Sequence, residues 1–233
     1  SIYKMSENEE EDNTLIKYSG NYGGITQDSK FWDDFEDFGE KKVLNLKITK
    51  VKIYSGKFND KEAIFGVGFT YKDLQTGKET EVDHKGSDDF VDVKEFVIKQ
   101  SEYLTDFHIR FTNEAEYISQ LGYSTNKGNS ILVGSEEGED KTIQSNGGDN
   151  IIVGTFGCTN KRLDATGVLF MNKKEFFKRL LNGIFILRHL VKNNQKFKEE
   201  WDKKQKDLPT DFQFIWKAVN LPEGPLFQII RFC

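Results

Sequence analysis

Between residues 15 and 171 the apolar residues come in short runs, many of them alternating with polar positions, and each run is closed by Gly, Asn or Asp. A period of two marks strands that bury one face and wet the other. The runs predict strands at 43–54, 63–71, 90–98, 103–111, 117–124, 131–133, 151–156 and 165–171. Pro209, Pro222 and Pro225, the three prolines of the chain, all lie beyond this region, so glycine and asparagine must make its corners. Gly147, Gly148, Asp149 and Asn150 read as a tight hairpin turn. The prediction is a mainly β body of antiparallel strands.

After Asn172 the period lengthens. Phe177, Leu180, Leu181, Ile184, Leu187, Leu190 and Val191 recur at intervals of three and four, the spacing of a helix. Asn172 can cap its N-terminus, and Glu175 three positions on completes a capping-box pattern. The apolar arc is wide enough to require cover from the β body or from a partner. Residues 208–233 carry Phe212, Phe214, Ile215, Trp216, Leu226, Phe227, Ile229, Ile230 and Phe232, too apolar a set to be left in water. This segment is expected either to pack back on the domain or to dock into another subunit. At the other end, Ser6 to Asn13 is too acidic to fold alone. The expected organisation is an acidic tail at 1–14, a β domain at 15–171 and a helical, apolar extension at 172–233.

Charge adds a polarity to this picture. The net charge of −5 conceals eleven acids against three bases in residues 1–40 and eleven bases against five acids in residues 172–207. The basic helix could meet a protein partner, an anionic membrane surface or a peptide-binding groove. The β body has no basic stripe with aromatic platforms, which argues against nucleic acid. No stretch reaches the roughly 20 apolar residues of a membrane-spanning helix. Two cysteines, Cys158 and Cys233, cannot build a disulfide framework, so a reducing, cytosolic-type compartment is favoured over secretion. His84, His108 and His189 stand without metal-ligand spacing, and no metal or cofactor is expected.

Catalysis finds little support. Cys158 would need His84 or His108 beside it and an electropositive setting, and nothing in the sequence brings them together. The pairs Asp33–Asp34 and Asp88–Asp89 read as turn and rim residues, because neighbours on a strand face opposite ways. The candidate chemistry lies instead in the loop 154–167, GTFGCTNKRLDATG. Its single acid, Asp164, sits just before the apolar run Val168 to Met171. The residue is either a turn cap bonded to its own backbone or a carboxylate held at a rim for a ligand.

Several segments, in order, resemble the jacalin-related lectin family. They are the opening glycine-rich GNYGG at 20–24, Phe31-Trp32-Asp33-Asp34, SEYL at 101–104, YISQLGYSTNKG at 117–128 and IIVGTFGCTNKRLDATGVLF at 151–170. The resemblance covers residues 17–171. It implies a β-prism of three four-stranded antiparallel sheets with Greek-key connections, and a non-enzymatic carbohydrate-binding function. It also implies a sugar site at one end of the prism, between the opening loop and the last loop, whose family pattern is Gly-x-x-x-Asp. The matching positions are Gly24, Thr26, Gln27, Asn160, Lys161, Arg162 and Asp164. Asp164 keeps the family's acid, while Asn160 replaces its glycine and Lys161 stands where many mannose-type members have an acid. Residues 25–31 are longer than the family's opening loop. The expected ligand is a glycan or glycoprotein, anionic glycans included, with a protein partner for the C-terminal helix and apolar tail. The competing expectation is a lectin-fold scaffold or adaptor subunit that no longer binds sugar.

Overall fold

The computed structural model describes residues 16–39, 46–74, 76–88, 92–99, 101–112, 117–144, 149–176, 191–195, 198–199 and 202. The acidic tail, the helix core expected at 177–190 and the apolar segment 208–233 lie outside the described residues. Along the chain run β1 (Ile16–Tyr18), β2 (Tyr22–Gly23), β3 (Lys30–Asp33), α1 (Asp34–Phe38), β4 (Leu46–Phe58), β5 (Lys61–Asp73), β6 (Glu79–Lys85) and β7 (Asp92–Val97). They are followed by β8 (Leu104–Phe111), β9 (Ile118–Thr125), β10 (Ser130–Gly134), β11 (Glu139–Gln144), β12 (Asn150–Thr159) and β13 (Leu163–Asn172).

These strands make three antiparallel sheets. Two are four-stranded, in the orders β6-β5-β4-β7 and β10-β9-β8-β11. In each, three strands joined in succession are followed by a fourth that returns beside the first, which is a Greek key. In the remaining sheet β13 lies between β12 and the N-terminal strands, and β3 pairs the far side of β12. There β1 and β2 pair consecutive stretches of β13, at residues 169–171 and 165–166, so this sheet is also four strands wide. The inward faces meet in one core containing Ile53, Val67 and Phe69, Phe107, Ile109 and Leu121, and Ile152, Val168 and Phe170. Each sheet contributes one wall of a β-prism.

The sheet that holds β12 and β13 is buried on its outer face as well. Ile16, Ile151, Val153, Leu169 and Met171 form a second cluster that Phe176 joins. Burial on both faces explains why β13 reads as an unbroken apolar run instead of an alternation. The start of the extension follows the sequence. The Asn172 carboxamide accepts from the amides of Lys174 at 3.0 Å and Glu175 at 3.3 Å, and residues 173–176 are helical. No helix among the described residues is long and apolar enough to cross a membrane.

All eight expected strands are present in the described residues, with shifted ends. Those missed are β1, β2, β3, β6 and β11. The sequences of β6, ETEVDHK, and β11, EDKTIQ, are edge strands that carry charge on their solvent side, a device that blocks edge-to-edge pairing. β11 turns only Ile143 inward and β6 turns Thr80, Val82 and His84, of which Val82 alone is aliphatic, so neither strand shows an apolar alternation. Of the hairpin turn expected at 147–150, residues 147 and 148 lie outside the described residues, and β11 and β12 do not pair with each other. β11 pairs β8 and β12 pairs β13, so the chain between them changes sheets.

The reading of Asp33 and Asp34 as rim residues also fails for Asp34. Asp33 caps α1, accepting the Phe35 amide at 2.8 Å, and receives the Tyr18 hydroxyl at 2.8 Å. The helical turn then swings Asp34 inward, where it is 1% exposed. Its carboxylate accepts the Tyr71 hydroxyl and the Thr155 amide at 3.0 Å, and pairs with His84 Nε2 at 2.9 Å. The His84 ring stacks on Trp32, centroids 4.5 Å apart. Burial and the Asp34 charge together hold the Tyr71 phenol well above its usual pKa. One aspartate thus ties α1 to strands of two sheets.

Candidate functional site

The opening loop and the last loop meet because backbone packing leaves no room between them. Gly23 has φ +117°, and a side chain there would lie 2.2 Å from the Asp164 carbonyl oxygen, so only glycine fits this approach. The Gly24 amide donates to that same carbonyl at 3.1 Å. Beyond it, residues 25–29 turn back over β13. The Ser29 amide donates to the Thr26 carbonyl at 3.2 Å, and the Thr26 amide donates to Ser29 Oγ at 2.9 Å.

This turn places two hydroxyls on one carboxylate. Ser29 Oγ donates to Asp164 Oδ2 at 2.7 Å and Thr26 Oγ1 to the same oxygen at 3.4 Å. The two hydroxyl oxygens are 2.9 Å apart. Asn160 Nδ2 donates to Thr26 Oγ1 at 3.3 Å, which extends the group across the last loop. Asp164 is 1% exposed although Thr26 above it is open to solvent. Its Oδ1 is buried with no hydrogen-bond partner among the described residues. The hydrogen bonds on Asp164 therefore come from another loop, not from its own turn as a local cap would require.

Gly24, Thr26, Asn160 and Asp164 form one hydrogen-bonded group. Gln27 and Lys161 lie exposed at its edge. Arg162 turns away and lays its guanidinium over the Phe58 ring, 4.1 Å from the centroid, so its charge serves packing between the last loop and the β4–β5 hairpin. Sequence reasoning missed Ser29, the closest donor to Asp164, although its spacing from Thr26 is that of a side-chain turn. It also missed Gly86, whose added Cβ would fall 2.4 Å from both the Arg162 nitrogen and the Lys161 carbonyl carbon. Gly86→Ala is expected to displace residues 160–162 and to cost about 1–3 kcal/mol of stability. Urea unfolding together with amide chemical shifts at 160–164 checks this, and unchanged values contradict it.

Catalytic alternatives lose ground. Cys158 is buried and its thiol pKa is raised, chiefly by burial, with the nearby Asp164 charge adding to the effect against the Ser29 hydrogen bond. A nucleophilic cysteine needs the opposite shift. His84 is engaged by Asp34, and His108 pairs with Gln120 Oε1 at 2.9 Å on another sheet. No cluster of three His, Cys, Asp or Glu side chains among the described residues could hold a metal ion.

Three antiparallel sheets, each four strands wide, closed round one core make a β-prism, the fold of the jacalin-related lectins. The family model of the jacalin-like lectin domain matches residues 19–169, and the chain belongs to that family. No curated protein matches it in sequence. Among solved structures it is similar to the Calystegia sepium agglutinin, with 21% identity and TM-score 0.54 over 69% of this chain and 99% of that one. It is also similar to a mannose-binding jacalin-related lectin from Ananas comosus, with 19% identity and TM-score 0.53 over 68% and 99%. Artocarpin in complex with mannotriose is a third, with 22% identity and TM-score 0.51 over 67% and 98%.

Proposed function

We propose that residues 15–171 are a non-enzymatic carbohydrate-binding module whose ligand hydroxyls are received by Asp164, with Gly24, Thr26 and Asn160 around it. The observation that carries this reading is the environment of the carboxylate. One oxygen already holds two hydroxyl donors 2.9 Å apart, close to the spacing of a vicinal diol. The other oxygen has no partner among the described residues. A carboxylate so placed selects hydroxyl donors, since hydrogen bonds to a charged acceptor are the strong ones.

A neutral glycan fits better than an anionic one. Arg162 is occupied by Phe58, and a second negative charge beside Asp164 would be repelled. The similar proteins, one mannose-binding and one holding mannotriose, support the same class. Phe176 joins the apolar cluster of Ile16, Ile151, Val153, Leu169 and Met171, which favours an extension that starts on its own domain. A glycan array of the full chain tests the reading, with binding to neutral mannose-type glycans expected. Binding only to sialylated or sulfated glycans would move the site to Lys161, and binding to none overturns the proposal.

A further inference from the structure

Residues 25–29 are fixed at both ends. The Gly24 amide is bonded to the Asp164 carbonyl, and Lys30 is paired with Thr159 in the sheet. Between these anchors the segment carries Ile25, Thr26, Gln27 and Asp28 in the open, with only Ser29 partly buried. It packs little apolar surface, and its inward contacts are polar: Thr26 and Ser29 on Asp164 Oδ2, and the Ser29 side chain on the Cys158 thiol. Segments of this kind, with few buried apolar contacts, open at low free-energy cost while the core stays folded.

The carboxylate beneath is incompletely served. Asp164 is 1% exposed, yet its Oδ1 has no partner among the described residues. A buried acceptor left unpaired costs free energy that a donor at that position would recover. The segment therefore shields a carboxylate that it satisfies on one oxygen only.

Resting on the carbohydrate reading above, we infer that residues 25–29 are a displaceable strap. The Thr26 and Ser29 hydroxyls stand on Asp164 as internal competitors for ligand hydroxyls. A ligand with adjacent hydroxyls displaces them, swings the strap outward and engages both carboxylate oxygens. Binding is then selective for polyols able to offer two donors at once, because a single hydroxyl only exchanges one bond for another. The closed strap weakens apparent affinity by the fraction of time the site spends covered.

Cys158 reports the opening directly, since it is buried under Ser29. In a Cys233→Ser background, the Thr26→Ala/Ser29→Ala double variant and the Thr26→Ala single variant are compared with the parent. Two readouts are taken: labelling of Cys158 by a maleimide under native conditions and calorimetric titration with mannotriose, with melting followed by circular dichroism. The double variant is expected to label about tenfold faster or more and to bind mannotriose about tenfold tighter, with the single variant between it and the parent and melting little changed. Unchanged labelling in both variants, or mannotriose binding that stays equal or weakens while the parent binds, overturns the strap. Should the double variant melt early, the single variant alone decides by the same two readouts. Faster labelling with no mannotriose binding by any protein supports the strap and overturns the carbohydrate reading. Equal labelling with equal binding does the reverse.

Discussion

Asp34→Ala is expected to destabilise the protein by about 3–5 kcal/mol, the cost of breaking a buried, fully engaged ionic group by removing one partner. The substitution strips the Tyr71 hydroxyl, the Thr155 amide and His84 of their shared acceptor inside a core where water cannot replace it. An unpaired buried donor costs about 1–3 kcal/mol, and three are created at once, with partial relaxation limiting the sum. Asp34→Asn keeps an acceptor and the volume, so its loss should be smaller. Denaturant unfolding followed by circular dichroism measures both. A loss under 1 kcal/mol for Asp34→Ala would contradict the role given to this residue.

The second buried aspartate should behave in the opposite way. Asp164 is as little exposed as Asp34, but one of its oxygens has no partner among the described residues. Its two side-chain donors, Thr26 and Ser29, lie next to solvent. Removing the carboxylate leaves hydroxyls that water can satisfy and relieves a buried charge, so Asp164→Asn should change stability by less than about 1 kcal/mol or raise it. Glycan binding should collapse. Each hydrogen bond to a charged group contributes about 1.5–3 kcal/mol, and Asp164→Ala, which keeps neither acceptor, loses two, so its affinity should fall by at least about a hundredfold. Stability exchanged for a poised binding group is the pattern expected of a functional site.

The two aspartates also show how far the sequence could be read. The fold class was visible because eight short apolar runs, many of them alternating with polar positions, mark strands, and the resemblance carried by five ordered motifs implied the prism. Edge strands such as β6 and β11 were invisible, since their charged outer faces overwhelm the one aliphatic residue that each turns inward. Asp164 was visible as a lone acid before an apolar run. Asp34 was not, because its burial depends on the single turn of α1 that reverses its direction after β3. Ser29 was hidden for a related reason. Its partner lies 135 positions away, and only the pairing of β2 with β13 and of β3 with β12 brings the opening loop over the last one. Arg162 was legible as a charge but not as a packing group, since Phe58 reaches it only through the β4–β5 hairpin.

The most direct measurement is calorimetric titration of the full chain and of Asp164→Ala with mannotriose, with the melting temperature of both recorded alongside. The expected result is saturable binding by the native protein, lost by at least about a hundredfold in the variant, while the two melt within a few degrees of each other. Binding that survives intact in folded Asp164→Ala would contradict the assignment of this carboxylate as the centre of the site.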